Sequence, residues 1–416
     1  MSGVRSGLER LVTLLGLAAR NVARHRLRTG LTLAAIGFGV SGLVLTGGFV
    51  QDIYLQLGEA IVRSQTGHLQ VAREGFFTYG AQAPEKYLIE DATALARRLE
   101  AQSGVTQVMG RLHFSALLGN GRTDLPVVGE GVEPDKEARL GTSMVIQAGQ
   151  PLRSEHRYGM LVGEGLAKAL GLRPGDPVTL MTSATGGAVN ALDFELVGVF
   201  QSYSKDYDAR AVKIPLQAAQ ELLATSGVNV LVVELRATEA TERFSASIRG
   251  RLEKAGLELR TWRELSDFYQ KTVDLYERQF GVLRLIVLLM VLLSVANTVN
   301  LSLFERIGEF GTMCALGDRR RKVFGLIMTE GLLVGSIGAG IGVALGVGLA
   351  AAISAVGIPM PPPPNANLGY VARIQLVPGV ITGAALVGVL AAVFATILPA
   401  RRMARLSIVD ALRHNV

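Results

Sequence analysis

Charged residues all but vanish from this chain in four long stretches, and between them the period of the hydrophobic pattern changes. Residues 29–51 carry no charge over 23 positions, 285–304 none over twenty, and 374–400 none at all. Residues 323–353 hold a single charge, Glu330, in a run otherwise apolar and dense in glycine. A helix needs about 20 such residues to cross about 30 Å of hydrocarbon, so the pattern predicts four membrane spans. Ahead of the first, Leu8, Leu11, Val12, Leu15, Ala19 and Val22 share one helical face, with Arg5, Glu9, Arg20 and Arg24 off it. That predicts an amphipathic helix on the membrane surface over 4–25. The first apolar run is longer than the roughly 7–15-residue core of a signal peptide and leads straight into Gln51-Asp52, so it reads as a retained span.

Between the first two spans the period shortens. Residues 68–71 alternate polar and apolar, and 105–118, 125–132, 228–235 and 257–261 read as further strands. Ala92, Leu95 and Leu99 recur at helical spacing, as do Phe244, Ile248 and Leu252. Strand–helix–strand at each end predicts a split ferredoxin-like unit, with a β-rich subdomain inserted at about 119–225. Within that insert, 161–172 reads as a helix closed by Gly171, followed by a tight turn and a strand. Residues 265–304 read as one helix. At 1.5 Å per residue it would extend roughly 60 Å, so about half would form a stalk outside the bilayer.

Charge adds the topology. A net charge of +7 invites a nucleic-acid partner, but the basic excess is local. Residues 1–28 hold six Arg against one acid, 305–322 five basic against three acidic, and 400–416 four against one, while 51–283 hold 25 basic and 29 acidic. Basic residues beside apolar spans mark cytoplasmic loops, so both termini and 305–322 are expected inside and the large domain outside, with no nucleic acid bound. Cys314 is the sole cysteine, which excludes an intrachain disulfide. No Gly-Lys pair occurs, so a phosphate-binding GxxxxGK[ST] loop is absent. His68, His113, His156 and His414 are scattered without metal-ligand spacing. Asp206 and Asp208 flank Tyr207 but lack visible convergent partners. No catalytic, metal-binding or cofactor-binding residue is predicted. Few ionisable residues lie in the spans, which argues against an ion-coupled carrier.

The most informative stretch is 305–332. Ile307, Phe310, Met313 and Cys314 form an apolar stripe at helical spacing, with Arg306, Glu309 and Thr312 on the other face. Leu316 precedes Gly317, which is suited to a left-handed helix end, and Asp318 is placed to cap the next helix. The basic cluster Arg319, Arg320, Arg321 and Lys322 follows. In the third span, Gly331/Gly335 and Gly338/Gly342/Gly346 are small-xxx-small steps that let helices approach closely. Glu330, a membrane carboxylate near the inner boundary, reads either as a functional group or as one half of a local ion pair.

This order of signals resembles the FtsX-like, MacB/LolE-type permeases of ABC transporters. The resemblance extends to Ala167, Leu170, Gly171, Gly175, Asp176 and Val178, which fit an Ala-x-x-Leu-Gly-x-x-x-Gly-Asp-x-Val phrase of MacB-like periplasmic domains, and to the basic tail. It implies an α-helical membrane protein with four transmembrane helices plus a large α+β extracytoplasmic domain. The expected order is a cytoplasmic amphipathic helix (1–28), first span (29–53), MacB-like periplasmic core domain (54–279), second span continuing from a stalk helix (280–304) and cytoplasmic coupling loop (305–322). A third span (323–353), outer loop (354–377), fourth span (378–400) and cytoplasmic tail (401–416) complete it.

The resemblance further implies a bacterial inner-membrane permease subunit without its own ATP site, served by two copies of a separate ABC ATPase that binds ATP and Mg. A second permease chain, identical or paralogous, membrane lipids and an outer-face adaptor or chaperone complete the implied partners. In this family the coupling loop docks on the ATPase, which assigns Ile307, Glu309, Phe310, Met313, Leu316 and Gly317 to coupling, with Phe310 and Met313 as apolar anchors. The glycine steps are expected to offer a packing face for the second permease. Within the family the chain looks more like the LolC/LolE-type permeases, which release lipoproteins. The alternative is an FtsX-like regulator that transports nothing and activates an enzyme outside.

Overall fold

The computed structural model describes residues 26–80, 83–141, 144–362 and 369–405, together with Gly16. The rest of the predicted 4–25 helix and the tail beyond Arg405 lie outside the described residues. The chain divides into two compact units. A membrane unit gathers the described residues of 1–54, 273–358 and 371–416, and a sheet unit gathers those of 55–272 and 359–370.

Among the described residues, four helices are long and apolar enough to cross a membrane. We label the chain's principal elements in order: α1 (Arg26–Ile61), β1 (Leu69–Arg73), α2 (Ala92–Glu100), β2 (Val105–Gly119), β3 (Asp124–Val132), α3 (Pro134–Leu140), β4 (Val145–Gly149), β5 (Gly159–Gly163) and α4 (Glu164–Leu170). There follow β6 (Pro177–Ser183), β7 (Val189–Gln201), β8 (Ala211–Pro215), α5 (Leu216–Leu223), β9 (Val230–Leu235), α6 (Thr241–Glu253) and β10 (Leu257–Thr261). The helices α7 (Asp267–Glu305), α8 (Ile307–Ala315), α9 (Arg320–Val356) and α10 (Pro378–Arg405) complete the series.

In the membrane unit, small residues decide which helices meet. Along α9, a Cβ at Gly331 would lie 2.4 Å from Thr396 Oγ1 of α10, and one at Gly335 2.8 Å from the Ala392 Cβ. The partner numbers fall as the glycine numbers rise, so α9 and α10 run antiparallel. The next steps turn to α1. Cβ atoms at Gly338, Gly342 and Gly346 would lie 2.9, 2.7 and 3.0 Å from Ile36, the Gly37 carbonyl oxygen and Val44. These numbers rise together, so α1 and α9 run parallel. All five glycines are therefore used inside the chain, and the expectation that they face a second permease is corrected: two helices of the same chain fill the grooves first. Farther along α1, the buried Asp52 carboxylate accepts from the Arg373 N–H at 2.8 Å and from Gln375 Nε2 at 2.9 Å, which holds the chain just ahead of α10.

The sheet unit is built on β1–α2–β2 and β9–α6–β10, whose strands lie in the order β10-β1-β9-β2, all antiparallel. That is the strand order of a ferredoxin-like unit, as the paired strand–helix–strand pattern predicts. The insert follows directly on β2, the strand expected over 105–118, which runs through both halves of the sheet. Residues Val105–Arg111 pair with β9, and Leu112–Gly119 pair with β3. The sheet continues β2-β3-β8-β5-β7-β4, with β6 bridging β2 and β7. No turn residue pair interrupts the apolar alternation of β2, so nothing in it breaks the strand. In α4, Gly171 takes φ +67 and ends the helix, the left-handed conformation that glycine adopts without steric cost.

The last turns of α1 are rooted in this unit. Beyond Ile61 the helix widens into a π-helical turn, Val62–Thr66. His68 Nδ1 accepts from the Leu235 N–H at 3.1 Å, so the ring proton sits on Nε2 and is donated to Thr238 Oγ1 at 3.1 Å. The Thr238 hydroxyl in turn donates to Glu59. Burial holds the imidazole at about 4, against the opposing pull of the Glu59 carboxylate. The unfolded chain binds this proton near pH 6.5, the folded chain only near 4. The contribution is thus fully present above pH 6.5 and lost as pH falls toward 4, by on the order of 3 kcal/mol. Unfolding midpoints measured from pH 7 down to 4 should fall accordingly, and His68→Gln should flatten that slope.

Candidate functional site

The chain leaves α7 at Glu305, turns at Arg306, and enters α8 one residue later. Arg306 is only 6% exposed. Its Nε lies 3.0 Å from Glu309 Oε2 and its Nη1 2.9 Å from Glu330 Oε2 of α9, while the guanidinium sits 5.0 Å from the Phe310 ring centre. One cation thus joins the end of α7, the first turn of α8 and α9 about three turns from its start. Beside it lies a cavity of about 70 Å³, lined among others by Thr32, Thr298, Ser302 and Thr396.

The far end of α8 closes by a Schellman pattern. The Asp318 N–H donates to the Met313 carbonyl at 3.0 Å and the Gly317 N–H to that of Cys314 at 3.1 Å. Gly317 has φ +99, which explains the glycine. Asp318 does not cap α9, contrary to the sequence reading. The residue before that helix is Arg319, which makes no side-chain cap, and Asp318 pairs instead with Lys322 Nζ at 2.7 Å.

The apolar stripe of α8 also needs correction. Ile307 and Phe310 are buried, Phe310 to 3% exposure, in a cluster with Leu303, Val323, Leu326, Ile327, Ala400 and Met403. Met313 and Cys314 pack against the same cluster. The stripe is real, but the chain's own α7, α9 and α10 bury it. Phe310 and Met313 therefore serve as internal anchors that fix α8 to the bundle. What remains outward is Glu309, Thr312, Ala315, Gly317 and, at 84% exposure, Leu316, followed by the exposed Arg319, Arg320, Arg321 and Lys322. The predicted residues thus fall into two sets: Ile307, Phe310 and Met313 hold the helix, while Glu309, Leu316 and Gly317 face away from it. Glu330 joins the first set through Arg306. Sequence reading did not find that pair, since the partners stand 24 residues apart on different helices; a lone membrane acid was the only signal.

Residues 29–251 match the MacB-like periplasmic core domain family, and residues 281–408 match the FtsX-like permease C-terminal family. The chain belongs to the FtsX/MacB-like permeases of ABC transporters. It is 28% identical over 191 residues to an uncharacterized ABC transporter permease protein of Mycobacterium tuberculosis, covering 44% of this chain and 21% of that protein. It is 21% identical over 323 residues to the lipoprotein-releasing system transmembrane protein LolC of Neisseria meningitidis serogroup B, covering 74% of each. This permease therefore spans about a fifth of the mycobacterial relative and about three quarters of LolC. Among solved structures, the periplasmic region of MacB from Actinobacillus actinomycetemcomitans is similar at 15% identity and a TM-score of 0.35, over 51% of this chain and 95% of that one.

Proposed function

We propose that this permease couples ATP hydrolysis by a separate ATPase subunit to conformational change in its extracytoplasmic domain, and so moves or releases an amphiphilic cargo at the inner membrane. Lipidated protein is the cargo class we favour, by analogy with LolC, whose name carries lipoprotein release. The observation that carries the reading is α8. Its buried stripe and Arg306 fix it to three membrane helices, and its outward rim offers Glu309 and Leu316 beside four basic residues. A rigidly held helix with one protruding apolar side chain is suited to receive a push from a partner. The helices α1 and α7 each contribute residues to both units, so they are the two helical routes for that push.

In this reading both termini and α8 face the cytoplasm, two ATPase copies serve a pair of permease chains, and an adaptor or chaperone works at the outer face. The second permease chain would meet the apolar face of α7, where Leu285, Leu289 and Leu293 are exposed, rather than the glycines of α9. Leu316→Asp, which touches none of the groups that hold α8, tests the docking rim. A lost contact of hot-spot size costs about 2 kcal/mol, roughly thirtyfold in affinity. We expect the variant to fold normally in the membrane and to lose its ATPase on purification. Full retention of the ATPase would remove α8 from the interface.

A further inference from the structure

The sheet unit contains a charge cluster that the coupling site does not use. Arg111 on β2, Glu130 on β3, Glu137 on α3 and Lys213 on β8 are each at most 5% exposed. Arg111 Nη2 lies 2.9 Å from both Glu137 carboxylate oxygens, and its Nε 3.2 Å from one of them. Lys213 Nζ lies 2.5 Å from Glu137 Oε1 and 3.3 Å from Glu130 Oε2. The cluster holds two cations and two anions, so it is neutral as a whole. Burial alone would push the Glu130 carboxyl up, but Lys213 and then Arg111 outweigh it and hold that carboxyl at about 2.

One donor of this cluster leaves it. Arg111 Nη1 donates to the main-chain carbonyl of Gln65, in the π-helical turn that ends α1. Carbonyls at a helix end lack partners within the helix and carry its negative pole. The neighbouring carbonyls there are met locally: that of Val62 by the Gly67 N–H, and that of Thr66 by the Gln70 side chain. The Gln65 carbonyl is met by a buried guanidinium whose other edge is locked to Glu137. The planar guanidinium presents donors on two edges at a fixed separation, whereas a lysine ammonium gathers its three donors on one nitrogen and cannot reach partners on opposite sides of the site.

We propose that Arg111 is a positioning residue that fastens the end of α1 to the inserted half of the sheet, so that displacement of α1 is delivered to β3 and β8. The role rests on the mechanotransmission reading above. It also gives the long β2 a use: the strand that carries Arg111 belongs to both halves of the sheet, and the residues that receive the load, Glu130, Glu137 and Lys213, all lie in the insert.

Hydrogen exchange on the full permease with its co-purified ATPase, with and without ATP, tests this. In the unaltered protein ATP should change exchange at β3 and β8 amides. Arg111→Lys keeps the charge balance but cannot span Glu137 and Gln65. In it the Val62–Gly67 amides should exchange about tenfold faster, β3 and β8 should keep their protection without ATP, and their response to ATP should be lost. A purely structural role would loosen β3 and β8 even without ATP. Should Arg111→Lys fail to fold, Arg111→Met with Glu137→Met decides, since it removes one charge of each sign and leaves Lys213 with Glu130. A full ATP response at β3 and β8 in a folded variant overturns the positioning role alone. No ATP response in the unaltered protein overturns the mechanotransmission reading, and this role with it.

Discussion

Arg306→Met should destabilise the membrane unit by about 3–5 kcal/mol, the cost of leaving one partner of a buried ion pair behind. The carboxylate that loses this cation is that of Glu330, whose side chain is 15% exposed and which meets Arg306 at 2.9 Å. Glu309 loses the same guanidinium, and Phe310 loses a cation over its ring. Neutralising both ends changes the outcome. In Arg306→Met with Glu330→Met the buried pair is removed as a whole, the one remaining carboxylate that loses Arg306 is Glu309, 46% exposed to solvent, and well-packed apolar residues in place of a buried pair are often neutral or better. The double variant should therefore recover most of the lost stability, while its ATPase activity, measured with the partner bound, stays low. That separation matters, because it distinguishes a pair kept for holding α8 in register from one kept for stability. Thermal unfolding in detergent, followed on both variants, reads the first effect directly. An unchanged midpoint in Arg306→Met would mean that the pair is hydrated and carries no load.

Gly342→Leu should be damaging as well, by about 3 kcal/mol, the upper end of the usual overpacking cost. A Cβ there would stand 2.7 Å from the Gly37 carbonyl oxygen and 2.7 Å from the Val40 Cβ, so backbone as well as side chain must move. Gly340 provides the control on the same helix. Nothing lies within 4 Å of its Cβ position, so Gly340→Leu should change stability by no more than about 1 kcal/mol. Measured side by side in detergent, the two variants separate loss of glycine as such from loss of close approach. Equal effects would show that the α1–α9 contact is not set by these glycines.

Much of this architecture could be read before any coordinates. Charge-free runs announce spans because charge in hydrocarbon is costly, and Gly171 and Gly317 announce helix ends because few other residues accept φ above zero. The ferredoxin-like strand order followed from two separated strand–helix–strand patterns. What periodicity does not contain is the identity of the neighbour. The stripe at Ile307, Phe310 and Met313 was visible, but a stripe in lipid, in a partner or in its own bundle has the same spacing. The α9 glycines were visible as a face, and only the structure assigns that face to α1 and α10. Arg306–Glu330 and Arg111–Glu137–Lys213 join residues distant in sequence, and a charged residue gives no local sign of being buried. Asp318 shows the reverse error: a good capping residue was in place, but Lys322 one turn later offered it a full charge.

The coupling role of α8 is the claim on which the functional reading depends, and Leu316, 84% exposed at its C-terminal end, is the apolar side chain it presents outward. A photoreactive label on Leu316→Cys in a Cys314→Ser background, in the intact permease–ATPase complex, measures it most directly. We expect an adduct with the ATPase subunit from position 316 and none from Phe304→Cys, an exposed position in the last turn of α7. An intact complex that yields no adduct at 316 would contradict the assignment.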